Sequence, residues 1–149
     1  MRDILLVLHI LAVGTWIGGN VTQFVVTPKL RDRGGAAAAA WMRSVVRMGT
    51  RLYTPAAILV LLTGVGLVLD SDLYDFEHAF VVIGVAMVIT GGVLGARVFG
   101  PRAEEAAAAF EAGDGATGVA VVNRSMRIAV LDSALLVVTV ASMVGRWGV

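Results

Sequence analysis

The sequence predicts an all-α integral membrane protein, built as an up-down-up-down four-helix bundle. Hydrophobic residues make up 58% of the chain and charged residues only 15%, whereas a soluble domain has roughly 25% charged residues. The apolar residues are gathered in runs long enough to cross a bilayer. We therefore expect a single transmembrane domain over residues 1–149, in the cell (inner) membrane. The predicted spans are about 4–27, 52–69, 79–96 and 128–145.

The first run, from Leu5 to Thr27, carries one ionisable side chain, His9. At 1.5 Å per residue it reaches about 34 Å, which exceeds a hydrocarbon core of about 30 Å. His9, Trp16 and Gln23 recur at every seventh position and share a helix face, with Asn20 close to it. Hydrocarbon cannot solvate such a polar stripe, so it should face protein or a cavity.

Two further spans follow a basic connection. Pro28 is expected to end the first helix, and the alanine run 36–40 favours a helical lead-in to the second span. Glycines recur in both spans, and the Gly91 and Gly95 pair has the G-x-x-x-G spacing associated with close helix packing. We expect no internal repeat.

The fourth span carries a carboxylate, Asp132, one turn inside its start. A charge inside a span normally has a partner, and Arg51 or Arg127 is the expected one. The alternative is a proton-transfer or substrate-binding carboxylate. The Asp132 and Thr139 face should meet the face that carries His9 across the bundle core.

The distribution of Lys and Arg predicts the orientation. The 28–54 connection has six basic residues against one acid, while the 70–78 loop has four acids and no Lys or Arg. By the positive-inside rule, the 28–54 and 97–127 connections are cytoplasmic, and both termini are outside. Interfacial anchors are expected at Trp41, Tyr53, Tyr74 and Trp147.

This orientation places three potential ligands in the outer half of the bundle: His9, His78 and Met143. Bundle cores hold haem and metals through side chains on facing helices. Imidazole and thioether groups suit haem iron or copper. The alternative for each histidine is a structural, hydrogen-bonded role. Trp16 would either cover a flat ligand or pack against neighbouring helices.

Three segments carry a resemblance to a known group of proteins. They are LHILAVGTWIGG at residues 8–19, RLYTPAAILVLLTGVGLVL at residues 51–69 and NRSMRIAVLDSALLVV at residues 123–138. The chain resembles small four-helix membrane proteins that include the membrane domain of copper resistance D proteins and the HemJ-type protoporphyrinogen IX oxidases. The resemblance implies that His9 ligates b-type haem. His78 is kept at the start of the third helix, where Phe80 replaces the usual lysine.

The leading prediction is therefore a protein that binds haem b in a cavity lined by His9, Trp16, His78 and Met143. Its function would be electron transfer or porphyrin-linked redox chemistry, and if it is an enzyme it is a HemJ-like membrane oxidoreductase. One alternative is a ligand-free structural or assembly subunit of a larger membrane complex. Another is a copper-handling or small-solute transport module. Beyond the lipid bilayer, a second copy or a membrane redox partner is expected, and no nucleic acid.

Overall fold

The fold is all-helical, as predicted. A computed structural model describes residues 1–148, which contain no β-strand. Four helices are long and apolar enough to cross a membrane, so this is a multi-pass membrane protein. They are α1 Arg2–Arg33, α2 Gly35–Leu69, α3 Ala79–Glu111 and α4 Gly115–Val144.

The helices form a ring in which each contacts its neighbours along the chain, and α4 closes the ring against α1. The turn between α1 and α2 has positive φ angles of 65° at Gly34 and 52° at Gly35, which favour glycine. Asp114 begins α4 because its carboxylate accepts a hydrogen bond of 3.0 Å from the backbone N–H of Thr117. This bond also lowers the pKa of Asp114.

The helices continue well beyond the predicted spans. Pro28 does not end α1, which runs on to Arg33, so that expectation is wrong. The lost N–H of one proline removes a single helical bond, and Thr27 just before it is tied to the next helix by a 2.9 Å bond from Trp41 Nε1. The helical lead-in to the second span is confirmed, since α2 is continuous from Gly35.

Two regions can therefore be distinguished. The span region comprises residues 2–27, 54–69, 79–94 and 128–144. The extension comprises residues 28–48 and 100–127, whose charged side chains include exposed Arg43 and Glu111. Because hydrocarbon does not solvate such charges, the extension projects beyond the membrane. Fourteen residues of helix, as in Gly35–Met48, correspond to about 20 Å.

The extension has its own small-residue core. Ala38, Ala106 and Ala107 are fully buried and let α2 and α3 approach closely. Phe110 fills the end of this core against α4, where a Cβ on Gly118 would lie 2.8 Å from the phenyl ring. This core is dense and leaves little room for change.

Both central helices carry a π-helical segment where the extension meets the span region. The segments are Gly49–Tyr53 in α2 and Gly95–Phe99 in α3. The residue after each segment donates its N–H to the carbonyl of the segment's first glycine, five residues back. Pro55 and Pro101 follow directly. A proline has no N–H and crowds the preceding turn, and a widened turn accommodates it.

The two π segments and their prolines share a sequence pattern. Residues 49–55 read GTRLYTP and residues 95–101 read GARVFGP, with glycine, arginine and proline at matching positions. Only these three of seven residues are identical, so the expectation of no internal repeat in the chain stays as it was. The matching residues were too few to stand out without the shared backbone geometry. The shared pattern leads toward the span region in α2 and away from it in α3. Both π segments therefore lie at the junction between the extension and the span region.

Beyond the π segments α2 and α3 separate. They contact closely in the extension but have far fewer contacts in the span region. The glycines there receive large side chains instead of another backbone. A Cβ on Gly91 would lie 2.6 Å from Trp16, and one on Gly64 would lie 3.3 Å from His9, whereas Gly95 has open space. The G-x-x-x-G pair therefore does not bring two helices together within this chain.

Candidate functional site

The separation of α2 and α3 leaves a cavity of about 220 Å³, which we call the span cavity. It lies at the end of the bundle next to the N-terminus and the 70–78 loop. Its walls are almost entirely apolar and come from α1, α2, α3 and α4. The functional side chains in its lining are Arg2, His9, Tyr74 and Met143.

His9 lines this cavity and is held there by a hydrogen bond through one ring nitrogen. Its Nδ1 lies 2.9 Å from Thr63 Oγ1. The Thr63 hydroxyl donates its single proton to a backbone carbonyl of its own helix, that of Leu59, so it can only accept from the imidazole. With Thr63 as the acceptor, the proton is assigned to Nδ1 and the lone pair to Nε2. In metal-binding histidines, a hydrogen bond to the nitrogen that does not face the metal orients the ring in the same way.

Met143 and Arg2 add two further groups to the lining. The Met143 methyl lies over α3, where a Cβ on Gly84 would be 2.6 Å from it. Arg2 stands at the cavity mouth, with its guanidinium 5.8 Å from the centre of the Tyr74 ring. The cavity thus combines an imidazole nitrogen, a thioether and one positive charge at its entrance.

His78 and Trp16 do not line the span cavity, contrary to expectation. His78 belongs to the loop, where its Nδ1 lies 2.9 Å from Asp75 Oδ1. That carboxylate also accepts a 2.8 Å bond from the backbone N–H of Glu77, which is the main reason that the pKa of Asp75 is lowered. Hydrogen bonds within the loop hold His78. The position of His78 at the start of a span did not predict these bonds.

Trp16 packs one layer deeper. It is 6% exposed and forms an apolar cluster with Met87 and Leu136. Val88 packs against this cluster and also lines the cavity, so the cluster lies just beneath the cavity. Contact between Trp16 and a ligand remains a prediction.

A polar layer follows on the extension side of Trp16. Asn20 Nδ2 donates to Ser133 Oγ at 2.9 Å, and Gln23 Nε2 donates to the Tyr53 hydroxyl at 2.8 Å. The Asn20–Ser133 bond joins α1 to α4 at this level, while the meeting of the Asp132 and Thr139 face with the His9 face remains a prediction. Tyr53 does not act as an interfacial anchor: it points into the bundle and lies against Gly19. Its ring contacts Trp16 edge to face, with centroids 6.4 Å apart.

Asp132 lies in this layer without a partner. It is 6% exposed, and its Oδ1 accepts no hydrogen bond. None of the ion pairs among residues 1–148 includes it. The predicted pairing with Arg51 or Arg127 is wrong, because both arginines are exposed on the outside of their helices.

Thr63 and Ser133 were not predicted as site residues, and Tyr53 was expected at the membrane interface and not inside the bundle. Thr63 was detectable as a hydroxyl inside an otherwise apolar run. The partners of Tyr53 and Ser133 lie on other helices, and no local pattern points to them. Across residues 1–148 no three His, Cys, Asp or Glu side chains cluster to hold a metal ion, so any metal bound in the cavity would rely on His9 and non-acidic donors.

Comparisons with protein-family models, with curated proteins and with solved structures find no match to this chain. The function must therefore be argued from the site itself.

Proposed function

We propose that the protein binds b-type haem in the span cavity, where His9 would hold the iron, for electron transfer or porphyrin-linked redox chemistry. The observation that carries the proposal is the His9 imidazole, held through Nδ1 by Thr63 on the wall of an apolar cavity. Neutral imidazole is a standard haem ligand, and the iron of a bound haem would supply the one-electron chemistry.

The donor set suits this cofactor. Met143 lines the same cavity and would be the second residue to hold the iron, as His and Met do in cytochromes. Arg2 at the mouth supplies a positive charge for propionates. We therefore pair His9 with Met143, while His78, held by Asp75 outside the cavity, is the weaker second ligand.

The cavity is small for a porphyrin. Ligand pockets usually measure about 300–1,000 Å³, compared with about 220 Å³ here. Two features reduce the mismatch. The lining reaches the surface at Phe76, which is 48% exposed, so one edge of the macrocycle can stay at the mouth. The α2 and α3 walls also have few contacts with each other, and a modest separation would widen the cavity.

Two other functions make different demands on this region. A structural subunit needs a filled core around His9, and an apolar cavity beside that histidine argues against it. A copper site could use His9 and Met143, since imidazole and thioether ligands suit Cu(I). A single copper ion, however, would contact only its ligands, so an extended apolar cavity is not required to bind it. We therefore favour haem binding over both of these functions.

The test is the visible absorption spectrum of protein purified from haem-replete cells, oxidised and dithionite-reduced. We expect haem bands in the wild type, their loss in His9→Ala and a changed ligation spectrum in Met143→Leu. The matched control is His78→Ala, which should keep the wild-type spectrum. Thr63→Val should shift the bands, because it removes the hydrogen bond to Nδ1. A colourless wild type that also fails to take up haemin would refute haem binding, and copper analysis of the same sample would decide the copper alternative.

The proposed orientation in the inner membrane has both termini outside and the extension in the cytoplasm, as the charge distribution indicates. Single cysteines can test it, because the chain has no natural cysteine. Asp72→Cys in the loop should react with an impermeant thiol reagent added to cells. Ala108→Cys, exposed on the extension, should react only after lysis. The reverse pattern would overturn the orientation. A membrane redox partner or a second copy remains a prediction.

A further inference from the structure

A second, smaller cavity lies where the extension meets the span region. This junction cavity measures about 40 Å³ and is lined on one side by apolar side chains. Its polar lining consists of Gln23, Thr27, Arg102 and Ser125. The Arg102 Nη1 atom is buried there without a hydrogen-bond partner. Water needs about 10–15 Å³ and two or more polar partners, and this cavity provides both.

Asp132 does not line the junction cavity but lies about one helical turn from its lining, on the side of the span region. Ala129, three residues earlier on α4, is part of the cavity lining, so the two residues share a helix face one turn apart. Gln23 provides a second link, since it lines the cavity and also donates to Tyr53, which lies within electrostatic range of Asp132. On the other side of Asp132, the apolar cluster of Trp16 separates this polar region from the span cavity.

The groups around Asp132 do not neutralise a negative charge. From α1 come the amides of Asn20 and Gln23, and from α2 the phenol of Tyr53. From α3 comes Arg102 across the junction cavity, which makes no ion pair with it. An isolated carboxylate buried in this way is costly, whereas the neutral acid is much less so.

We propose that Asp132 is a proton-binding site inside the span region, loaded and unloaded from the extension side through the junction cavity. The step is a simple transfer. A hydronium ion in the cavity loses one O–H bond, its proton forms an O–H bond on the Asp132 carboxylate and a neutral water molecule is left; the reverse step returns the proton to water. The site is independent of the haem proposal, since it uses neither His9 nor the span cavity.

The polar groups near Asp132 lie on the side of the junction cavity, and we place the entry of the proton on that side. The apolar layer of Trp16, Met87 and Leu136 offers no polar group to carry a proton onward. The junction cavity has room for water beside the polar side chains of Gln23 and Ser125, whereas the Arg102 guanidinium can only donate hydrogen bonds there. A carboxyl group that exchanges protons with one side only can couple a change in the bundle to proton uptake from that side.

Infrared spectroscopy of the full chain in lipid nanodiscs tests the proposal. We expect the carbonyl stretch of a protonated carboxylic acid at neutral pH, with reversible loss of the band at alkaline pH. The band should be absent in Asp132→Asn, an isosteric change that should preserve the fold, and present in Asp72→Asn, the exposed loop control. Absence of the band from the wild type at every pH, or its persistence in Asp132→Asn, would overturn the proposal.

The rate of hydrogen–deuterium exchange at the same band tests the route. Ala129→Leu fills the junction cavity and should slow exchange. Val85→Leu fills the span cavity and should leave the rate unchanged. Slower exchange in Val85→Leu together with an unchanged rate in Ala129→Leu would refute access from the extension side. Both variants retain haem-independent readouts, so a failure here is distinct from a failure of haem binding.

Discussion

The two halves of the α2–α3 pair are packed in opposite ways. In the extension, fully buried Ala38, Ala106 and Ala107 hold the two helices in close contact. In the span region the same helices separate after their matching π segments, and the gap becomes a cavity. The extension is therefore closely packed, whereas the span region contains the span cavity.

The difference shows that small residues have two different roles in this bundle. Alanines bring helices together, whereas glycines make room for large side chains. In the extension, buried alanines of α2 and α3 allow the two helices to approach closely. Glycines of the span region instead accept large side chains from a different helix, such as Trp16 over Gly91. Each such fit fixes the position of a functional side chain without closing the bundle around it.

Truncation of a buried ring should have the largest effect on stability. Phe110 is 3% exposed in the extension, and Phe110→Ala should lower the free energy of unfolding by about 3–5 kcal/mol. The matched control is Phe76→Ala at the cavity mouth, where the ring is 48% exposed and little should be lost. Reversible unfolding in mixed micelles measures both. Equal losses would mean that the extension is no more tightly packed than the cavity mouth.

A pair of neighbouring glycines tests the fit of Trp16. In Gly91→Ala the new methyl would lie 2.6 Å from the indole, and relieving this overlap should cost about 1–3 kcal/mol. In Gly92→Ala the methyl meets open space, so the higher helix propensity of alanine should stabilise by up to about 1 kcal/mol. If both variants melt at the same temperature, Trp16 is not fixed by Gly91.

The smallest expected effect concerns an exposed ion pair of the extension. Arg43 donates to both Glu111 oxygens, at 3.1 and 2.8 Å, and these bonds hold the pKa of Glu111 below its usual value. Because the folded-state pKa is lowered, the contribution to stability is present above the unfolded value of about 4.3. It is lost as the pH falls through the lower folded value.

Comparison of Glu111→Gln with the wild type over a pH series of thermal melts measures this contribution. The difference between the two melting temperatures should be small at neutral pH, as for most exposed pairs, and should vanish in acid. Glu105→Gln, an exposed carboxylate outside the ion pairs of residues 1–148, is the control. A difference that grows toward acid pH would contradict the pairing.

The sequence by itself determined the class of protein and the number of spans. Long apolar runs report local burial in lipid, so residues 4–27, 52–69, 79–96 and 128–145 could be recognised without any knowledge of their neighbours. The helical lead-in to the second span followed in the same way from the alanines at 36–40. The helix face shared by His9 and Trp16 also followed, because it depends only on helical periodicity.

Only the tertiary structure decided which of these side chains meet. His9 and Trp16 share a helix face, yet one lines the cavity and the other packs beneath it, because Trp16 is covered by Gly91, Met87 and Leu136. Asp132 has exposed arginines nearby in sequence but none beside it, since the rotation of α4 is set by packing against Asn20 and Trp16. Such contacts depend on the fit between helices far apart in the chain, and no local pattern encodes that fit.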